Sequence, residues 1–212
     1  MIFFQGCAGG YFETETSVKS IEVLEHLGYE VLVPKQGCCG LAQQSNGLFK
    51  QSTKTLLDIC DKIIARGKGI PVVSSSGSCI GMIKHEAHEI MGVDDPRLHD
   101  VSVRSFDFCE FLMEEYRNGE IDLSELKPLD LTVPYHQPCQ VKSQGMGFPA
   151  VQLMELIPGV KVLESNEPCC GIAGTYGLKA ERYDVSQRIG AKVFEHMREY
   201  NEGVGVCDTE TC

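Results

Sequence analysis

The sequence predicts an α/β protein built from two pseudo-symmetric halves, each with its own parallel sheet. Three observations predict it. Cys7, the pair Cys38–Cys39 and Cys79 recur as Cys139, the pair Cys169–Cys170 and Cys212, at offsets of 132, 131 and 133 residues. The text between them agrees: "LGYEVLVP" answers "IPGVKVLE", and Gly47-Leu48 answers Gly177-Leu178. Each half also alternates strand-like and helix-like stretches. A repeat this long is a duplicated domain, since solenoid units run to about 50 residues.

In the first half "IFFQ" reads as a strand. Val18, Ile21, Leu24 and Leu27 then recur at helical spacing up to the stop at Gly28. "YEVLV" reads as a second strand, Leu56, Cys60, Ile63 and Ile64 mark a helix ending near Gly67, and "IPVVS" is a third strand. The second half repeats this with "LTVPY", a helix over Pro149 to Leu156, "VKVL", a helix from about Leu178 to Tyr200, and "VGVC". Strands separated by helices pair in parallel through right-handed crossovers, so two Rossmann-like domains are expected. The predicted boundaries are 1–128 and 129–212. Residues 80–128 form a bridging segment, helical with "DDPRLHD" and "NGEIDLSELKP" as loops.

Composition narrows the function. The 212 residues carry a net charge of −11, which opposes binding to a phosphate backbone or an anionic lipid surface. Nucleic acid is therefore not an expected partner. Apolar runs are too short to span a membrane, and "MIFF" lacks the basic region of a signal peptide. A cytoplasmic location is expected, where thiols stay reduced. Eleven cysteines then need a reason other than disulfides, and the odd count leaves one over in any full framework.

Topology supplies that reason. One cysteine site follows each predicted strand, and parallel strands end on one sheet edge, where open α/β sheets bind ligands. Cys7, Cys38, Cys39 and Cys79 should therefore converge, as should Cys139, Cys169, Cys170 and Cys212. Glycines after each pair allow positive φ and a sharp turn. Four thiols make a soft donor set suited to zinc or iron–sulfur. His136, three residues before Cys139 in "YHQPC", has three readings: a hydrogen bond to a thiolate, a proton carrier near a quinone, or plain packing at a strand end. Cys60 and Cys109 sit with apolar neighbours at helical spacing and read as core. "HEAH" at His85–His88 has the wrong spacing for a zinc-protease helix and reads as a solvated face. The glycine loops carry neither G-x-G-x-x-G nor a Walker lysine.

The two "CCG" motifs with their flanking cysteines, "YHQPC", "CCGIAGTYG" and the terminal "ETC" resemble the cysteine-rich (CCG) domain family, along essentially the whole chain. That family includes the B subunit of heterodisulfide reductase and the iron–sulfur subunits of lactate, glycolate and anaerobic glycerol-3-phosphate oxidation systems; the last is the nearest branch. The resemblance implies an electron-transfer module holding an iron–sulfur cluster of 4Fe-4S type, with zinc in one half of some members. It implies as partners a flavin-containing dehydrogenase subunit and a ferredoxin-like segment or subunit. Electrons would pass toward a quinone or similar acceptor, with membrane contact only through partners at the inner face. The rival functions are a heterodisulfide-reductase-like catalytic site and a zinc-stabilised scaffold.

The family's motif ends in CxxC, giving five thiols. Here Ser76 and Thr209 stand where the first of those cysteines is expected, leaving four aligned thiols per half. Cys207, two residues earlier, is a candidate substitute in the second half, although alternation at a strand end aims it equally well elsewhere. The second half also lacks the helix that follows Cys79, and the chain lacks a CxxCxxCxxxCP ferredoxin segment, so it reads as a fragment or truncated frame.

Overall fold

The computed structural model describes residues 1–200 and 203–212. They form two compact units, residues 1–108 and 109–210, with Thr211 grouped with the first and Cys212 with the second. Each is α/β and holds one small, fully parallel sheet.

In the first unit the strands are β1 (Ile2–Phe3), β2 (Val72–Ser74) and β3 (Ser105–Asp107), in that order. The predicted strand "YEVLV" is reduced to a single bridge, Ile2↔Leu32. The Gln36 side chain explains the reduction. Its amide accepts from Gln5 N–H at 2.8 Å and donates to Phe3 O, filling places on β1 that a neighbouring strand would take. β3 is a second correction, since it lies in the segment expected to be helical with loops. A third is "DDPRLHD", which holds a helix at Pro96–Ser102. Asp95 caps that helix by accepting from Arg97 N–H at 2.9 Å, and Pro96 opens its first turn.

Helix α1 (Thr14–His26) forms where predicted but buries Ser17, Ser20 and Leu24 and leaves Val18 exposed, whereas α2 (Phe49–Ile64) buries its apolar stripe as its periodicity predicts. Leu56, Ile59, Cys60 and Ile63 of α2 bury into one core with Ile2, Phe4 and Val72. Cys60 is thus a core residue. The chain after Cys79 continues as helix through Glu89 with a wider π turn at Met82–Glu86, and its Met82, Ile83 and Ala87 join the same core.

In the second unit β4 (Leu131–His136) lies between β5 (Val160–Glu164) and β6 (Val206–Cys207). Its core gathers Tyr135, Ala150 and Val151, with Cys109, Met154, Val162 and Val206 packed against them. The long helix begins later than its sequence pattern predicts. Residues 176–178 and 180–182 form separate 3-10 turns, and the α-helix runs from Tyr183 to Glu199.

One detail recurs in both units and fixes the CCG turns. Gly40 and Gly171 adopt φ of +94° and +91°, a region open to glycine and strained for other residues. Ser52 Oγ donates to Gly40 O at 2.9 Å, and Ser186 Oγ donates to Gly171 O at 2.8 Å. Each serine comes from the helix that follows the turn. A Cβ on Gly40 would stand 2.7 Å from Ser52 Oγ, and one on Gly171 would collide with Ser186 O. Ser52→Ala or Ser186→Ala should leave a buried carbonyl unpaired and cost about 1–3 kcal/mol. Gly171→Ala should cost about 2–4 kcal/mol, adding backbone strain to overpacking. Urea unfolding of the metal-free protein measures all three.

Candidate metal centres

The local path of the chain brings each set of four thiols together. In the first unit Cys7 follows β1, Cys38 and Cys39 occupy the turn held by Gly40, and Cys79 lies in the helix opened after β2. Cys7 Sγ is 3.6 Å from Cys38 Sγ, and the Cys39 thiol is hydrogen-bonded to both Cys38 and Cys79. Gly40 N–H adds a bond to Cys38 Sγ at 3.4 Å. Gly6, at φ +63°, lets the chain pass close by, for a Cβ there would lie 3.0 Å from Cys79 Sγ.

The second unit repeats the order. The Cys139 thiol is hydrogen-bonded to Cys169, Cys169 to Cys170, and Cys170 Sγ lies 3.0 Å from Cys212 Sγ. Gly171 N–H donates to Cys169 Sγ at 3.3 Å, as Gly40 does to Cys38. In both halves the thiols therefore contact one another in chain order: lone cysteine, first of the pair, second of the pair, last cysteine. Cys207 ends β6 and turns its Sγ toward Thr209 O at 3.4 Å, yet remains close enough to Cys170 and Cys212 to interact with them electrostatically. Ser76 and Thr209, the two replacements, are both buried.

Hydrogen bonding divides the thiols into acceptors and donors. Bonds from Cys39 and Cys7 hold the Cys38 thiol below its ordinary range, while the same contacts and burial push Cys7 and Cys39 up. In the other half the Cys170–Cys212 contact lowers Cys170 and raises Cys212, and burial raises Cys139. Burial also pushes Cys207 up to about 11. Each set thus packs four thiols that share hydrogen-bonding protons. A soft metal ion suits such donors once those protons leave.

Polar groups surround the second set: His136, which the sequence singled out, and Ser165 and Asp208, which it did not. His136 is buried and its Nδ1 lies 3.0 Å from Ser165 Oγ. Burial lowers its pKa to about 4, so the imidazole is neutral at pH 7. A ring nitrogen of His136 and the sulfurs of Cys170 and Cys212 lie within 4.8 Å of one another. Tyr135 OH donates to Asp208 Oδ2 at 2.9 Å, and burial raises Asp208 to about 6. Ser165 and Asp208 have no counterpart in a recognised motif. Ser52 and Ser186 had a usable signal, since their spacing of 134 residues nearly matches the cysteine offsets. "HEAH" forms no metal group among the described residues; His85 pairs with Glu89 at 3.5 Å near the surface.

The cysteine-rich domain model matches residues 1–84 and 133–212. The chain belongs to the CCG cysteine-rich domain family. It is 34% identical over 213 residues to the C subunit of anaerobic glycerol-3-phosphate dehydrogenase from Escherichia coli (strain K12), covering 99% of this chain and 52% of that one. It is 27% identical to the B subunit of fumarate reductase (CoM/CoB) from Methanothermobacter marburgensis, covering 94% and 38%, and 27% identical to lactate utilization protein A of Oceanobacillus iheyensis, covering 92% and 79%. The chain spans about half the length of the first of these relatives.

Asp208 gives a pH test in the metal-free protein. A carboxyl raised to about 6 by folding stabilises the fold fully below its unfolded value near 3.8, and that contribution is lost as pH rises through 6. Asp208→Asn should therefore raise the melting temperature at pH 7.5 and lose that advantage near pH 4. Thermal unfolding of both proteins across this range is the measurement.

Proposed function

We propose that the chain is an iron–sulfur electron-transfer subunit that accepts electrons from a flavin-containing dehydrogenase and passes them toward a quinone or similar acceptor. One observation carries this reading: two sets of four thiols, contacting one another in the same chain order, in a family whose named relatives include subunits of a dehydrogenase and a reductase. Cys7, Cys38, Cys39 and Cys79 would hold one centre. Cys139, Cys169, Cys170 and Cys212 would hold the other, with Cys207 at its margin.

A bound cluster of 4Fe-4S type supplies reversible one-electron storage. The residues supply its setting. Thiolates give soft ligands, glycine N–H groups bond to the ligating sulfurs and tune the potential, and the buried serines keep both turns in shape. Organic chemistry would belong to the flavoprotein partner, with a ferredoxin-like segment or subunit linking the two. No helix among the described residues is long and apolar enough to cross a membrane. A cytoplasmic position with peripheral contact through partners completes the proposal.

A second reading is zinc in one half. A single tetrahedral ion with bonds near 2.3 Å sets its sulfurs about 3.8 Å apart. Cys7 and Cys38, 3.6 Å apart, are close to that spacing. Cys170 and Cys212, at 3.0 Å, are closer together still, so metal analysis rather than spacing assigns zinc to one half or the other.

The test is iron, zinc and acid-labile sulfide content of anaerobically purified protein, with its visible spectrum. Iron and sulfide with a bleachable brown colour are expected. Cys170→Ser should remove most of the colour, while Cys39→Ser should remove zinc if the first half is mononuclear. A colourless protein holding zinc alone sinks the electron-transfer reading and leaves a scaffold.

A further inference from the structure

The halves differ in kind at a buried position beside the thiols. The residue three before the lone cysteine is Phe4 in the first half and His136 in the second, and both are buried, at 0% and 1% exposure. Phe4 fills core space with an apolar ring. His136 ends β4 and brings two polar nitrogens into an equally closed place.

One nitrogen is accounted for. His136 Nδ1 lies 3.0 Å from Ser165 Oγ, and Ser165 is itself fixed, its N–H donating to Tyr135 O at 2.8 Å and its Oγ accepting from Glu167 N–H at 3.4 Å. The other nitrogen, Nε2, is buried and has no hydrogen-bond partner among the described residues. Buried polar atoms are rarely left so, and an exception calls for an unseen water or ion. The ring also lies in the right place for one, within 4.8 Å of the sulfurs of Cys170 and Cys212.

We propose that His136 Nε2 is a direct ligand of the second-half centre, which thereby differs from the all-thiolate set of the first. The proposal rests on the metal-binding reading above. Ser165 is then a positioning residue. By accepting a hydrogen bond from Nδ1–H it fixes the tautomer that leaves the Nε2 lone pair for the metal, the usual arrangement for a ligating histidine. The imidazole supplies a further donor where Thr209 stands in place of a thiol. Nitrogen in place of sulfur raises the potential of an iron–sulfur centre, so the second centre would be the easier to reduce.

X-ray absorption at the iron and zinc edges of the anaerobically purified full chain tests this, with metal and sulfide analysis on the same sample. Imidazole ring scattering in the wild-type protein, lost in His136→Cys with metal content kept, is the expected result. The reduction potential of that variant should also fall. Wild-type protein that holds metal without imidazole scattering, or scattering that persists in His136→Cys, overturns the proposal while leaving the electron-transfer reading intact. The wild-type spectrum decides even if the variant fails to fold. Wild-type protein with no bound metal sinks both.

Discussion

Everything near the two thiol sets depends on a serine hydroxyl bonded to a glycine carbonyl. Two adjacent cysteines on an extended strand point to opposite faces. Bringing both toward one point requires the chain to turn immediately afterward, and Gly40 and Gly171 do so at positive φ. A turn that tight exposes a carbonyl to the interior, and Ser52 or Ser186 takes it up from the next helix. The serine thus ties the turn to the helix packed behind it. The glycine N–H, freed by the same turn, bonds back to the first cysteine of the pair.

The duplication made much of this legible. Register between the halves exposed the four-thiol sets, and alternation of apolar runs placed most strands and long helices. What escaped has physical reasons. β3 is built from Ser105, Phe106 and Asp107, and its two buried residues are polar, so no apolar run announces it. The second strand of the first half has suitable residues, but a side-chain amide from Gln36 takes up its partner's backbone groups. The helix at Pro96–Ser102 rests on a cap and a leading proline within a stretch dense in charge, which reads as loop. Ser165 lies in no motif; only the three-dimensional path sets its hydroxyl beside His136.

The halves have kept their scaffold and changed their lining. Main-chain geometry at Gly40 and Gly171 agrees within a few degrees, and the thiol order is the same. Ser76 in one half stands against Thr209 in the other. Phe4 against His136 adds a larger difference, an apolar ring against a neutral base. A duplicated frame with unlike walls can hold two centres of unlike potential without any change of fold.

The thiols of each set also come from segments far apart along the chain. Cys7 and Cys38 are 31 residues apart, and Cys170 and Cys212 are 42 apart. An ion or cluster joining them acts as a cross-link, closing loops whose slack the unfolded chain would otherwise enjoy, and the entropy removed grows with the logarithm of loop length. The small sheets, some strands only two residues long, have few backbone bonds of their own to resist that slack. A group held there would thereby fasten the unit that surrounds it, whatever else it does.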